Sequence, residues 1–229
     1  MPDTPALVFL LDVDNTLLDN DRAKEGINAE VKDILGPDGA REFWDLYEQV
    51  RADRGYVDFP ATVSRMSAGH GGKQTRERLM NMLDSFPFRR YLYPHALDTI
   101  AYLATLGEPV VLSDGDPNFQ RHKIEASGIG EAVDGRVMVV AHKELELDRV
   151  FARFPARHYV AIDDKPRIVS ALEKECPSTF TTVLVEQGKY AAETDPGPAP
   201  DITVARIGDV REIGQREFLQ PHGASGSAG

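Results

Sequence analysis

Residues 6–16 read Ala-Leu-Val-Phe-Leu-Leu-Asp-Val-Asp-Asn-Thr, an apolar run that ends in Asp12 and Asp14. The unbroken apolar stretch from Ala6 to the first acid predicts a strand buried on both faces. Two carboxylates one residue apart at the carboxyl end of such a strand are costly unless a cation or a reaction uses them. Open α/β sheets bind their ligands just outside the carboxyl ends of their strands. The stretch therefore predicts a parallel sheet and an acidic site at its edge.

Between about residues 18 and 90 the spacing is helical only. Residues 21–35 place Ile27, Val31, Ile34 and Leu35 together and are closed by Gly36-Pro37. A helix over 38–54 follows with Phe43, Trp44, Leu46, Tyr47 and Val50, and shorter helices are expected at 60–66 and 75–83, separated by Gly69-His70-Gly71-Gly72. From Tyr93 helix and strand alternate. A helix over 95–106 precedes a strand over 110–112 that is stopped by Ser113-Asp114-Gly115; Asp116 and Pro117 then open a helix as N-cap and first-turn proline. Strands are expected at 137–141, 158–162 and 181–185, with helices at 144–154 and 166–175 and an edge strand at 202–204. Repeated strand–helix units predict an α/β fold, a doubly wound, mainly parallel sheet with an inserted all-helical segment. The division is a core of residues 1–17 and 91–220, a helical insert of 18–90 and a flexible tail of small residues at 221–229.

The composition, 41% hydrophobic and 28% charged, is that of a soluble globular protein. A net charge of −11 argues against nucleic acid as a partner, since broad phosphate contact needs a basic face. No apolar run is long enough to span a bilayer, and no basic stretch leads into an apolar leader, so no membrane association is expected. With Cys176 as the sole cysteine there is no intrachain disulfide, and a reducing cytoplasm is the simplest compartment. A monomer or homodimer is expected.

Four polar clusters fall at or just after the carboxyl ends of predicted strands: Asp12 with Asp14, Ser113, Lys143, and Asp163 with Asp164. In a doubly wound sheet those positions converge on one crevice. Taken singly, each has a plainer role open to it: Asp12 as a helix cap, one of Asp163 and Asp164 as a cap of the helix at Pro166, Asp14 and Ser113 as turn residues, Lys143 as a solvated lysine. Asp116 is explained as an N-cap. Arg121, Lys123 and Lys165 rival Lys143 as the cation of the site.

Taken in order, the clusters resemble the signature of the haloacid dehalogenase (HAD) superfamily: Asp-x-Asp-x-Thr at Asp12-Val13-Asp14-Asn15-Thr16, a serine at Leu112-Ser113, then Lys143, then the acidic pair Asp163-Asp164. The resemblance implies a Rossmann-like core with a helical cap. It implies Asp12 as nucleophile, Asp14 as general acid and base, and Ser113 with the Asp114 amide as phosphoryl contacts. Lys143 then offsets charge. Asp12, Asp14 (through its backbone carbonyl), Asp163 and Asp164 would hold Mg²⁺. Dehalogenases of the superfamily lack the second acid of the first motif, so Asp14 favours phosphoryl transfer. The implied activity is hydrolysis of a small phosphorylated metabolite through an aspartyl-phosphate. A phosphomutase, a phosphonatase with a cap lysine such as Lys24, and a non-catalytic phosphometabolite-binding protein are the alternatives. Arg22, Lys24, Arg51, Arg54, Arg65, Lys73 and Arg76 of the insert are candidate contacts for an anionic substrate, although most are expected on solvated faces. Trp44, Phe43 and Tyr47 are expected to form the core of the insert, and Gly69-His70-Gly71-Gly72 is either a specificity loop or a plain interhelical turn.

Overall fold

The computed structural model describes residues 5–175 and 179–219; Cys176 and the tail expected at 221–229 lie outside them. The apolar run forms β1 (Leu7–Leu11), buried at every position. Leu7, Phe9 and Leu11 join one apolar cluster and Val8 and Leu10 another, so the strand lies between two cores. Burial on both faces is why its sequence does not alternate.

The chain then enters a helical layer of α1 (Asn20–Arg54), α2 (Phe59–Gly69) and α3 (Gly72–Ser85). Asp19 and Asp58 begin the first two by accepting the amides of Arg22 and Ala61, which satisfies donors that have no partner inside the helix. The stop expected at Gly36-Pro37 is present: α1 is two helices that meet there at a kink. Gly36 turns out of helical geometry (φ 75°, ψ 173°) and Pro37 resumes it, as a proline can at the first position of a new helical turn.

Next come α4 (Ala96–Ala104), β2 (Glu108–Asp114), α5 (Pro117–Ser127), α6 (Ile129–Ala132) and β3 (Val137–Val140). They are followed by α7 (Leu147–Arg153), β4 (His158–Asp163), α8 (Pro166–Glu175), β5 (Phe180–Val185), β6 (Ile202–Val204) and α9 (Gln215–Phe218). Two expectations are corrected. Ser113 and Asp114 belong to the end of β2, where they pair with Val139 and Val140, rather than to a stop after it. The helix expected over 144–154 is a 3₁₀ turn, Lys143–Leu145, followed by α7; the Lys143 amide is held by the Asp114 carboxylate at 2.9 Å, which pins the turn to β2.

The six strands are parallel, in the order β3-β2-β1-β4-β5-β6. That order reverses between β1 and β4, the switch point at which such sheets open a crevice. Leu11 pairs with Val111 on one side and Ile162 on the other. The next residues along, Asp12 and Asp163, therefore emerge side by side at the switch point. The helical layer sits above this end: Phe59 of α2 packs on Phe119 of α5 with centroids 4.7 Å apart, and the Asp116 amide donates to the Val57 carbonyl at 3.3 Å. Among the described residues no helix is long and apolar enough to cross a membrane.

The approach of β1 to the turn before β2 leaves no space for a side chain at Gly107, where a Cβ would stand 2.5 Å from the Leu7 carbonyl oxygen. Gly107→Ala is expected to lower unfolding stability by about 1–3 kcal/mol, as overpacking against backbone does. Urea denaturation checks this, and an unchanged midpoint would contradict the tight register drawn here.

Candidate active site

The loop after β1 is shaped by its own backbone. The Val13 carbonyl accepts the amides of Thr16, Leu17 and Leu18, and Asn15 takes a left-handed conformation (φ 65°), which asparagine tolerates better than most residues. The side chain of Gln187, after β5, donates to the carbonyls of Asn15 and Thr16 at 3.2 and 2.6 Å and accepts the Ile207 amide at 3.1 Å. Gly188 lies against the same loop, where a Cβ would stand 2.6 Å from that of Asn15.

This loop and the end of β4 form a buried charge cluster. Asp12 is 2% exposed. Its carboxylate is bonded by the Lys143 ammonium and, at 3.3 Å, by the Thr16 hydroxyl. Lys143 is equally buried and lies 2.5 Å from Asp163. Burial alone would push the Asp12 carboxyl up, but the Lys143 and Lys165 charges and the bonds from Lys143 and Thr16 outweigh it and hold the group below its ordinary range. For Lys143, burial favours the neutral form, and the carboxylates of Asp12 and Asp163 override it and fix the ammonium. Asp163 stays above the usual carboxylate range because burial and the Asp12 charge outweigh what Lys143 contributes.

Asp164 is different. It is fully buried, and neither carboxylate oxygen has a hydrogen-bond partner. Burial, then the charges of Asp12 and Asp163, push its carboxyl up to about 9. Asp12, Asp163 and Asp164 each offer an oxygen within 4.8 Å of the others. An all-oxygen, net-negative set with an unsatisfied member suits a hard divalent cation, so the residues fit the metal that the sequence implies.

The second acid of the loop faces elsewhere. Asp14 is bonded by Lys123 at 2.5 Å and by Gln120 at 3.4 Å, both from α5. Gln120 also donates to the Ser113 hydroxyl at 2.7 Å, leaving that hydroxyl its own proton to give. Asp114 accepts the Lys143 amide and lies 3.9 Å from Lys165. A cavity of about 170 Å³ opens between the sheet edge and the helical layer, with Asp14, Asp114 and Lys165 on its floor and Tyr47, Phe59 and Phe119 on its walls. Asp12, Ser113, Lys143 and the Asp163-Asp164 pair do not line it. Asp12 lies beneath this floor, with 2% of its surface exposed.

No family model and no curated protein matches the chain, but solved structures do. It is 38% identical to a haloacid dehalogenase-like hydrolase from Burkholderia xenovorans LB400, over 94% of this chain and 99% of that one, with a TM-score of 0.85. The chain belongs to the haloacid dehalogenase-like hydrolases. A magnesium-bound HAD-hydrolase from Bacillus subtilis (14% identity, 92% of this chain and 98% of that one, TM-score 0.63) shares its fold. So does an L-2-haloacid dehalogenase from Xanthobacter autotrophicus (18% identity, 92% and 98%, TM-score 0.58).

In this HAD-like hydrolase the residues singled out in sequence, Asp12, Asp14, Ser113, Asp114, Lys143, Asp163 and Asp164, all gather at one end of the sheet. The rival cations separate: Lys143 takes Asp12 and Asp163, Lys123 takes Asp14, and Lys165 lies near Asp114. Sequence reading passed over Gln120 and named Lys123 only as a rival to Lys143, not as the partner of Asp14. Their spacing of three residues on a helix that Asp116 starts was the available signal, since it puts both on one face. Of the basic residues of the insert, Lys24 and Arg51 line the cavity and Arg22, Arg54, Arg65, Lys73 and Arg76 do not. His70 pairs with Glu42 at 2.7 Å, away from the cavity, so the glycine-rich segment is an interhelical turn. Tyr47 serves both as buried core of the helical layer and as cavity wall.

With no cation bound, Asp164 keeps in the folded state a proton that the unfolded chain releases, because its carboxyl rises from 3.8 to about 9. The folded state then holds the extra proton between those values, and stability falls as pH rises through that window. In EDTA, Asp164→Asn is expected to lose less stability than the wild type between about pH 5 and pH 8 in urea denaturation. Parallel curves would show that Asp164 ionises normally.

Proposed function

We propose that the protein is a Mg²⁺-dependent phosphomonoester hydrolase that acts on a small phosphorylated metabolite through a covalent aspartyl-phosphate on Asp12. The observation that carries this reading is Asp14, a second carboxylate two residues after the nucleophile that faces the cavity and is held there by Lys123 and Gln120. An alkoxide leaving a phosphate ester needs a proton, whereas a halide does not, so this acid fits ester cleavage and is idle in dehalogenation.

In the first step an Asp12 carboxylate oxygen bonds to phosphorus, the ester P–O bond breaks, and Asp14 gives its proton to the departing oxygen. In the second, water attacks phosphorus, Asp14 takes the water's proton, and the bond between phosphorus and the Asp12 oxygen breaks to release phosphate. Lys143 holds the nucleophile ionised and oriented before attack and offsets the phosphoryl charge during it. The Ser113 hydroxyl, held as an acceptor by Gln120, donates to a phosphoryl oxygen. Asp12, Asp163, Asp164 and the Asp14 carbonyl would hold Mg²⁺, which would supply further neutralisation of the transferring group. In this reading the helical layer, whose Tyr47 and Phe59 line the cavity, admits substrate and then excludes water.

Hydrolysis of an aryl phosphate with and without Mg²⁺ tests the class. Turnover is expected only with Mg²⁺, to disappear into background in Asp12→Asn, and to fall by about 10²–10³ with a measurable residue in Ser113→Ala, the scale of a lost oxyanion donor. Undiminished turnover by Asp12→Asn would overturn the nucleophile. Dehalogenation of a 2-haloacid without phosphatase activity would overturn the class.

A further inference from the structure

The cavity lining also carries a second group of polar residues, within reach of the Asp14 charge but bonded to none of the acids of the floor. Tyr47 and Lys24 stand on its wall in the helical layer, and Lys189, from the segment after β5, stands at its rim. Tyr47 is 1% exposed, yet its hydroxyl has no hydrogen-bond partner. A buried donor without an acceptor carries a desolvation cost that a bound acceptor would remove. The Lys24 ammonium lies 5.0 Å from the centroid of the Tyr47 ring, and that of Lys189 4.8 Å from the ring of Tyr190. Among the described residues neither lysine has a carboxylate partner, whereas the other cations around the cavity do: Lys123 has Asp14, Lys165 has Asp114, Arg167 has Glu144 and Arg51 has Glu48.

The imbalance is local and runs against the chain as a whole, which has 37 acidic against 26 basic residues. Burial first, and then the neighbouring Lys189 charge, holds the Lys24 ammonium below its ordinary range, as expected of a cation that lacks its counter-ion. Burial, with the Asp14 charge behind it, pushes the Tyr47 phenol the other way, so its hydroxyl remains a donor. Position is also fixed from both sides. The Lys189 amide donates to Asp21 at the start of α1, at 3.1 Å, so the rim lysine is tied to the helix that carries Lys24.

We propose that Lys24, Tyr47 and Lys189 form a subsite for a second anionic group of the substrate, which is thus a phosphomonoester ending in a carboxylate or a second phosphate. This deepens the phosphatase reading and rests on it for the end of the ligand that meets the floor. Tyr47 donates to an oxygen of the distal group and the two lysines neutralise it. The small cavity restricts the linker between the two anions to a few atoms. Because Lys24 belongs to α1 and Lys189 to the segment after β5, the distal group also ties the helical layer to the sheet when substrate is bound.

The test is binding calorimetry on the full chain with Mg²⁺, using short alkylphosphonates that end in a carboxylate, a phosphonate or a neutral carboxamide. These ligands are not hydrolysed, so the readout does not depend on turnover, and aryl phosphate hydrolysis reports separately on the phosphatase reading. The wild type is expected to bind at least one diacid about tenfold or more tightly than the carboxamide, the scale of a hydrogen-bonded charge. That preference is expected to fall to within about threefold in Lys24→Met and in Lys189→Met, and to shrink in Tyr47→Phe. Lys189 is exposed, so its variant reports even if Lys24→Met fails to fold. Equal affinity for diacids and carboxamide in the wild type, a preference that survives both lysine substitutions, or no binding of any of the three would overturn the subsite.

Discussion

Lys143 bridging Asp12 and Asp163 at the switch point of the sheet is the interaction on which the rest of the site depends. All three groups are buried, and such an arrangement contributes little net stability, because taking the charges out of water costs about as much as their attraction returns. What it secures is geometry. The ammonium holds two strand ends in register at the place where the sheet opens, and it keeps Asp12 ionised inside a low-dielectric pocket. Removing it would leave two buried acids to protonate or to pull in water. The 3₁₀ turn that presents Lys143 is fixed in turn by Asp114, so a side chain on β2 sets the position of a cation that serves β1 and β4.

Around this bridge the charges nearly balance without a metal. Asp12 and Asp163 face Lys143, Lys165 lies close by, and Asp164 retains its proton. A divalent cation bound on the three acids would displace that proton, and its affinity would rise with pH for that reason. Asp14 stands outside this balance on its own partner, Lys123. Two carboxylates that are near neighbours in sequence thus sit against different cations, Asp12 on Lys143 and Asp14 on Lys123.

The legible part of this molecule was the part encoded locally. The uninterrupted apolar run of β1, the proline and N-cap acid of α5, and the acids closing β1 and β4 each carry their meaning within a few residues. The motif resemblance then brought Asp12, Asp14, Ser113, Lys143 and Asp163-Asp164 to one place, and the described chain gathers them there. What sequence withheld depends on contacts across the chain. Lys123 meets Asp14 over 109 positions, and its spacing from Gln120 puts the two on one helix face without saying which acid that face meets. Tyr47 fits the helical spacing of a core residue and is one; that the residue also lines a cavity is set by where α1 lies on the sheet. Gly36-Pro37 is a further local signal that held, since glycine leaves helical geometry there and proline opens the next helix.

Gln187 places a temporal order on assembly. It grips the loop after β1 with its amide group and is itself gripped by Ile207, so the earliest motif of the chain takes its final shape only once the last part of the sheet is in place. The clamp spans 172 positions from Asn15 to Gln187 and 20 more to Ile207. A loop that looks local in sequence is therefore closed by long-range contacts, whose entropy of closure must be met before the first motif can settle.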